Sequence, residues 1–234
     1  MARLPRLVVP AQPHYVMQRS SDGVLAFRDA SDYQQLLHWL REASRKFKVA
    51  LHAYVCMPEY WSLLASPSDG EGLGRMMQWV GRYYVPYYNR KYGRAGGLWQ
   101  GRYKASVLDA QEFLLPCMRY LELLPVQDRL VAQAIDYPWS SLAHHLGISQ
   151  DALVTDHPLY WSLGNTPFER EAAYKAFIEQ AVGSRELALW QSAGHRDWPL
   201  GTEKFKLDLE RRIKRRVRPA RRGRPPKPGA EKSS

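Results

Sequence analysis

The order of predicted elements indicates an α+β fold, in which one antiparallel sheet carries helices on one face. Two patterns in the 234-residue sequence support this prediction. Short runs rich in strand-forming residues alternate with longer segments in which apolar residues recur every three or four positions. The final third of the chain shows only the helical pattern. We therefore predict an α+β domain over residues 1–146, a helical extension over residues 147–216 and a disordered basic tail over residues 217–234.

The first half of the chain is predicted to contain three strands and two helices. The helix over residues 29–47 places Tyr33, Leu36 and Leu40 on one face. Pro86 is a potential point of bending in the second helix, because proline cannot donate a backbone hydrogen bond. The other elements predicted here are strands 12–18, 49–57 and 61–65, and helix 73–92.

The second half begins with a short strand over residues 102–108 and is helical thereafter. Asp109 is placed to cap a helix that starts at Ala110, with Glu112 at the position of a capping box. This helix is expected to stop at about Leu123, ahead of Pro125. Two further helices are predicted within residues 167–193, and a basic amphipathic helix over residues 202–216.

The composition excludes several classes of protein. Hydrophobic residues make up 45% and charged residues 24% of the chain, as in soluble globular proteins. No apolar run is long enough for a transmembrane helix, so we expect a cytoplasmic, nucleoid-associated protein with no membrane partner. Cys56 and Cys117 lack the spacing of a metal or redox site and are expected to be buried thiols. The adjacent His144 and His145 are expected to diverge on a helix and to form no metal site.

The formal net charge of +11 comes largely from one end of the chain. Residues 211–234 contain eleven Lys or Arg against one acidic residue, Glu231. Such a block attracts polyanions without sequence preference, although it can also be only a solvated tail. Within it, the string RGRP at 222–225 resembles the core of an AT-hook, with a plain basic linker as the alternative.

Residues 75–104 form a second basic region, which we call the basic aromatic segment. It contains seven basic residues, no acidic residue and eight Trp or Tyr. Cations can follow a phosphate backbone while aromatic faces stack on unpaired bases, so this composition is typical of single-stranded nucleic-acid binding. Trp79, Tyr83 and Tyr87 recur at helical spacing, and we expect about half of the aromatic residues to be core instead.

Several short strings resemble the REP-associated tyrosine transposases, which are related to the single-tyrosine HUH insertion-sequence transposases. The resemblance covers almost the whole chain, and the string at residues 98–105 is the most specific. The strings are HYV at 14–16 with Arg19, LHAYVCMP at 51–58, GRY at 81–83, LWQGRYKA at 98–105, CMRYLE at 117–122, YPWSS at 137–141, HPLY at 157–160 and GRP at 223–225.

This resemblance implies a ferredoxin-like or RRM-like sheet with a specific chemistry. In the family, a His-x-His pair on a strand holds a divalent metal ion that polarises the scissile phosphate. A helix tyrosine, here Tyr120, attacks and becomes linked to the DNA 5′ end. A polar residue one turn later is the third metal ligand, and the substrates are single-stranded hairpins from palindromic repeats.

The sequence departs from the family at the positions that carry this chemistry. Tyr60 and Ser62 stand where the two histidines belong, and Leu124 stands where the third ligand belongs. A phenol, a hydroxyl and an isobutyl group cannot replace two imidazoles and an amide around a divalent ion. Pro116, four residues before Tyr120, is also expected to kink the helix and to disturb the aim of the tyrosine.

Three hypotheses follow from these observations. In the first, the protein binds single-stranded or hairpin DNA, needs no cofactor and does not cleave it. In the second, it is an active nicking and joining transposase that uses Mg²⁺ or Mn²⁺ and Tyr120 as nucleophile. In the third, it is a structural remnant whose tail binds any polyanion. The sequence leaves monomer and dimer equally open. The residues predicted to contact nucleic acid are Arg75, Arg82, Arg90, Lys91, Arg94, Trp99, Arg102, Lys104, Arg119, Arg221, Arg222 and Arg224.

Overall fold

Four antiparallel strands form the central sheet, in the order β2-β3-β1-β4. The structure is a computed structural model that describes residues 6–180, 182–193, 198–214 and 216–217. The first six elements are β1 (His14–Arg19), α1 (Ala30–Lys46), β2 (Val49–Met57), β3 (Tyr60–Pro67), α2 (Gly72–Tyr92) and β4 (Lys104–Val107). This order and strand arrangement are those of the ferredoxin-like split βαβ motif, so the predicted fold class is confirmed.

Helical elements make up the remainder of the described chain. They are α3 (Ala110–Gln127), a 3-10 turn (Ala134–Asp136), α4 (Leu142–His145), α5 (Pro158–Trp161), α6 (Pro167–Ile178), α7 (Ser184–Ala193) and α8 (Glu203–Ile213). The two helices predicted within residues 167–193 are α6 and α7. The amphipathic helix predicted over residues 202–216 is α8, which begins after the cap residue Thr202.

Both faces of the sheet are covered. Helices α1 and α2 pack on one face, against alternate strand residues such as Tyr54 and Cys56. The prediction of helices on one face holds for α1 and α2 and not for α3. The opposite face, which includes Ala53 and Val55, is covered by α3 and helices of the extension. The strand β2 is therefore buried on both sides, which explains why its sequence is almost continuously apolar.

Local signals set the ends of some helices and not of others. The predicted start and end of α1 are confirmed, and Asp29 and Asp32 form a reciprocal capping box at its start. The capping box predicted at Asp109 is wrong: this residue precedes α3, but its side chain makes no capping hydrogen bond. The predicted end of α3 is also wrong. The helix runs through Pro116 and Pro125 to Gln127, because its buried face packs on the sheet and outweighs the lost hydrogen bonds.

The helical extension shares an apolar core with the rest of the chain. Tyr160, Tyr174 and Trp190 are buried in the same cluster as Leu121 of α3. The boundary at residues 146 and 147 stays a prediction. The tail residues 218–234 lie outside the described residues.

The structure also bears on the two cysteines and on membrane-spanning helices. Cys56 and Cys117 are buried free thiols, as expected. Across the described part of the chain, no helix combines the length and apolar character needed to cross a membrane.

Candidate nucleic-acid interface and tyrosine pocket

Tyr120 lies at a cavity of about 500 Å³ between the sheet, α3 and α7, which we call the tyrosine pocket. The pocket is predominantly aromatic and apolar on its sheet side, with polar groups added by α3, α7 and the end of β1. Its lining residues are Tyr15, Met17, Arg19, Tyr60, Tyr120, Leu124, Gln127, Asp128, Leu187, Trp190 and Gln191.

The three positions at which the sequence departs from the resembled family come together around this pocket. Tyr60 and Leu124 line it directly. Ser62 follows Tyr60 by two residues on β3, so it faces the same side of the sheet, and it pairs with Met17 of β1 in the strand register. Helix α3 is unbroken at Pro116, so Tyr120 reaches the pocket although a disturbed aim was expected.

The donor set of the tyrosine pocket does not fit a divalent metal ion. Among its described lining residues, Asp128 is the single carboxylate, and it accepts a hydrogen bond from the Tyr60 hydroxyl at 3.4 Å. Arg19 adds a positive charge at the same site, in an ion pair with Glu59 at 3.0 Å. Mg²⁺ and Mn²⁺ require several carboxylate, carbonyl or water oxygens, and histidine-rich sites require imidazoles.

Tyr120 is packed among aromatic rings and is largely buried. Its side chain is 5% exposed, and its ring stacks on Trp190 and meets Tyr15 edge to face at 6.3 Å. Burial raises the pKa of Tyr120 to about 12, with smaller contributions from Cys117 and Asp128. This shift makes the phenolate, the stronger nucleophile, harder to form than in an exposed tyrosine.

The basic aromatic segment places three arginines along the exposed side of α2. Arg75, Arg82 and Arg90 are spaced by seven and eight residues, which keeps them within one stripe of the helix. Arg75 forms a close ion pair with Glu71, one turn earlier. Among the described residues, Arg82 and Arg90 have no ion-pair partner. These two are the predicted contacts that α2 leaves most available to a polyanion.

The structure gives Lys91 a different role from the predicted one. Its ammonium group lies 2.7 Å from Asp29 Oδ1 and 2.8 Å from Asp32 Oδ1, and the Asp32 side chain is fully buried. Burial lowers the pKa of Lys91, but hydrogen bonds to Asp29 and Asp32 outweigh it and hold this pKa above its ordinary value. Lys91 therefore links α2 to the start of α1, and it is no longer counted among the predicted DNA contacts.

Arg119 is also removed from the predicted interface. Its guanidinium lies 2.7 Å from Glu186 of α7 and over the ring of Phe177 at 4.3 Å, and its side chain is 7% exposed. A buried cation that already has a carboxylate partner is not available to phosphate. Its function in the structure is to hold the extension against α3.

The other predicted contacts lie in the connection from α2 to β4 and in the tail. Arg102 is exposed, whereas Arg94 and Trp99 are half-buried, and Trp99 stacks on Tyr84 with centroids 5.7 Å apart. Lys104 begins β4 opposite Met17, so it lies on the sheet face of the tyrosine pocket. Arg221, Arg222 and Arg224 lie outside the described residues.

About half of the aromatic side chains of this segment were expected in the core, but the expected helix face was wrong. The fully buried members of α2 are Tyr84 and Tyr88, which donate hydrogen bonds to the carbonyls of Ala26 and Leu25 at 2.6 Å. Tyr83 is 44% exposed instead. Because hydroxyls can be satisfied in the core, tyrosine spacing alone could not select the buried face.

Two parts of the site were missed in the sequence. Trp190 of α7 lies far from the family strings, and Asp128 lies just beyond the string at 117–122; neither residue was singled out from the sequence. Trp39 of α1 lies beside Tyr83 and Tyr87 of α2, with the rings of Trp39 and Tyr83 6.1 Å apart. The apolar spacing of the two helices hinted that they pack together, but not which exposed aromatic side chains meet.

His144 and His145 do not diverge as expected: their ring centroids are 5.3 Å apart, beside Asp156. The potential ligand atoms of the three residues lie within 4.8 Å of one another. However, His144 Nδ1 accepts the backbone N–H of Asp151, which places the ring proton on Nε2, facing Asp156 at 3.3 Å. Both ring nitrogens of His144 therefore have hydrogen-bond partners within the protein, and the cluster is not part of the tyrosine pocket.

Comparison with known proteins finds similar structures but no match to a family model or to a curated protein. No protein-family model matches this sequence, and no curated protein does either. A structure of a REP-associated tyrosine transposase bound to a REP hairpin is similar at a TM-score of 0.51 and 16% identity, covering 67% of this chain and 93% of that one.

Two other solved structures are less similar. A provisionally assigned transposase from Deinococcus radiodurans matches at a TM-score of 0.34 and 18% identity, covering 52% of this chain and 96% of that one. The tRNA(His) guanylyltransferase of Saccharomyces cerevisiae matches at 0.38 and 9%, covering 82% of each chain. The likeness at a TM-score of 0.51 shows that the chain has a fold like that of the REP-associated tyrosine transposase structure.

Proposed function

We propose that this protein binds single-stranded or hairpin DNA and lacks metal-dependent strand cleavage. One observation carries the proposal. Tyr60 and Ser62 of β3 and Leu124 of α3, which stand at the ligand positions of the resembled family, lie around Tyr120 and offer no ligand set. The pocket is open beside Tyr120, but its lining does not offer the imidazoles and the amide with which the resembled family holds its metal ion.

The proposed DNA-binding surface is separate from this pocket. Arg82 and Arg90 are exposed on α2, Arg102 follows in the connection to β4, and the tail adds further positive charge. Cations arranged in this way bind the phosphate backbone and lose affinity as salt is added. The hairpin-bound transposase of similar fold supports a hairpin ligand for this chain.

An active transposase is the second candidate, because Tyr120 still lines an open pocket. In that case the hydroxyl of Tyr120 would attack the phosphate, and the bond to the 3′ oxygen would break. The two candidates differ in one product: only the active enzyme forms a covalent link between Tyr120 and a DNA 5′ phosphate.

One gel experiment distinguishes these candidates. The protein is mixed with end-labelled hairpin DNA from its own genomic neighbourhood, with and without Mg²⁺ or Mn²⁺, and run in native and denaturing lanes. We expect a shifted band in the native lanes, and neither cleavage nor a covalent adduct in the denaturing lanes. A metal-dependent adduct that is absent in Tyr120→Phe contradicts the proposal and supports the active enzyme.

A gain-of-function variant provides the matched control. The triple change Tyr60→His, Ser62→His and Leu124→Asn restores the residue types of the resembled family. If the lost ligands are the cause of inactivity, the variant should bind Mn²⁺ in a calorimetric titration that the wild type does not show. Absence of hairpin binding by the wild type at low salt would contradict DNA binding itself.

A further inference from the structure

A second cavity, of about 410 Å³, lies between α1 and α2 on the sheet face opposite the tyrosine pocket. We propose that this helix groove binds an unpaired base of single-stranded DNA. The base stacks on Tyr83 and Trp39, and Arg82 and Arg90 bind the flanking phosphates. This inference rests on the proposed function and names the site at which bases, not only phosphates, are recognised.

The aromatic walls of the helix groove come from both helices. Trp39 of α1 lies edge to face with Tyr87 at 5.6 Å and inclined to Tyr83 at 6.1 Å. Trp79 supports Tyr83 from behind, with centroids 4.3 Å apart. Although Tyr83 is held by these contacts, 44% of it remains exposed. An exposed aromatic ring held in place by other rings is a ready stacking platform, because little side-chain freedom is lost on binding.

The charges around the helix groove favour a phosphate-bearing ligand. Arg82 and Arg90 both line it and are separated by eight residues of α2, or about 12 Å along the helix axis. Lys91, at the same end as Arg90, is neutralised by Asp29 and Asp32. Among the described residues that line the groove, this leaves the two arginines as the cations available to a ligand. An apolar floor between two free guanidinium groups matches a base between its neighbouring phosphates.

Two of the groove's aromatic residues also have structural functions, so the test must separate binding from folding. Tyr87 donates a hydrogen bond to Asp32 at 3.1 Å, and Trp39 packs against the buried Tyr84. Tyr83 makes no comparable hydrogen bond among the described residues. The change Tyr83→Ala therefore removes the stacking platform with the least effect on the core.

The test compares two labelled twelve-nucleotide ligands by fluorescence anisotropy at one low salt concentration. One is oligothymidylate and the other is the abasic chain of equal length, which has the same phosphates and no bases. We expect Tyr83→Ala to weaken oligothymidylate binding by about 5- to 150-fold, the range that loss of one stacked base gives. Abasic binding should stay within about twofold, and Tyr83→Trp should retain the wild-type difference between the ligands.

Two further variants complete the design. Arg82→Ala with Arg90→Ala should weaken both ligands alike and reduce the salt slope by about 1.4, since each phosphate contact on a single strand contributes about 0.7. Phe168→Ala, an 81% exposed aromatic residue on α6, should change neither affinity. Thermal unfolding of each variant checks that the fold is retained.

A second, independent measurement locates the base. Oligonucleotides that contain 5-iodouracil are cross-linked to the wild-type protein by light, and the modified peptide is identified by mass spectrometry. We expect the cross-link at Tyr83 or Trp39. Cross-linking elsewhere, or equal losses for both ligands in Tyr83→Ala, overturns the inference.

The outcomes also separate this inference from the proposed function. If the wild type binds hairpin DNA but Tyr83→Ala affects neither single-stranded ligand, the inference is wrong and DNA binding stands. Tyr83→Ala would likewise leave both ligands unaffected if the helix groove binds a protein segment and no DNA. If the wild type binds no DNA in any form, both fail.

Discussion

The ring of Tyr120 stacks on the indole of Trp190, with centroids 5.7 Å apart and planes inclined by 21°. This contact joins α3, which carries the family-like string, to α7 of the helical extension. The indole also meets Tyr15 and Phe113 edge to face. The ring of Tyr120 is therefore part of the core that holds the extension in place, whereas its hydroxyl lies beside Tyr15 at the tyrosine pocket.

This separation of ring and hydroxyl predicts the effect of Tyr120→Phe. The variant keeps the stacked ring, so we expect its free energy of unfolding in urea to lie within about 1 kcal/mol of wild type. Its hairpin affinity should be unchanged. Trp190→Ala, which instead leaves a cavity in the core, should reduce the free energy of unfolding by about 3–5 kcal/mol. Large destabilisation by Tyr120→Phe would show that the hydroxyl has a structural role.

Lys91 and Arg90 are neighbours in the sequence, but their replacement by alanine is expected to affect different properties: stability for Lys91 and DNA affinity for Arg90. Lys91→Ala leaves the buried Asp32 carboxylate without its cation, so we expect a loss on the order of 1 kcal/mol in stability, since Lys91 is partly screened by water. Arg90→Ala should change stability by less than about 0.5 kcal/mol and weaken DNA binding. Urea unfolding and anisotropy on both variants test this, and a reversed pattern would return Lys91 to the interface.

Glu122 connects three helices through one buried carboxylate. Its oxygens accept hydrogen bonds from His145 Nδ1 and Ser141 Oγ at 2.6 Å and from the Tyr174 hydroxyl at 2.7 Å. Glu122→Ala leaves these donors unpaired, and we expect it to cost about 3–5 kcal/mol in urea unfolding. The exposed Glu112→Ala on the same helix is the control, expected within about 0.5 kcal/mol of wild type. Equal effects of the two changes would contradict the assigned role.

Two buried histidines predict that acid destabilises the fold. Burial lowers the pKa of His14 and of His52 from 6.5 to about 4, and both rings are hydrogen-bonded in their neutral form. As the pH falls below 6.5, the two histidines bind protons in the unfolded chain but not in the native state. The free energy of unfolding therefore decreases until the native state also binds these protons near pH 4. Each histidine contributes up to about 3 kcal/mol over this window.

Urea unfolding at several pH values between neutral and 4 measures this dependence. His14→Gln and His52→Gln should each flatten the curve, while the exposed His38→Gln should leave its slope unchanged. A pH-independent wild type would mean that the two imidazoles are not buried as described.

Local physics explains why part of the fold could be predicted. The start of α1 follows from a capping box within four residues, and β2 follows from its apolar composition with Val and Tyr among its residues. Likewise, Tyr60 and Ser62 were expected on one strand face because strand side chains alternate, and they lie there. The end of α3 could not be predicted in this way, since packing on the sheet carries the helix past Pro125.

The sequence by itself determined the element order, the net charge and the side-chain types at Tyr60, Ser62 and Leu124. The tertiary structure decided which cations remain available and which aromatic rings meet. Arg119 pairs with Glu186, which is 67 positions away in the sequence, and Lys91 pairs with Asp32, which is 59 positions away. Capping, alternation and helical spacing act over a few residues, whereas ion pairing and burial depend on groups that only folding brings together.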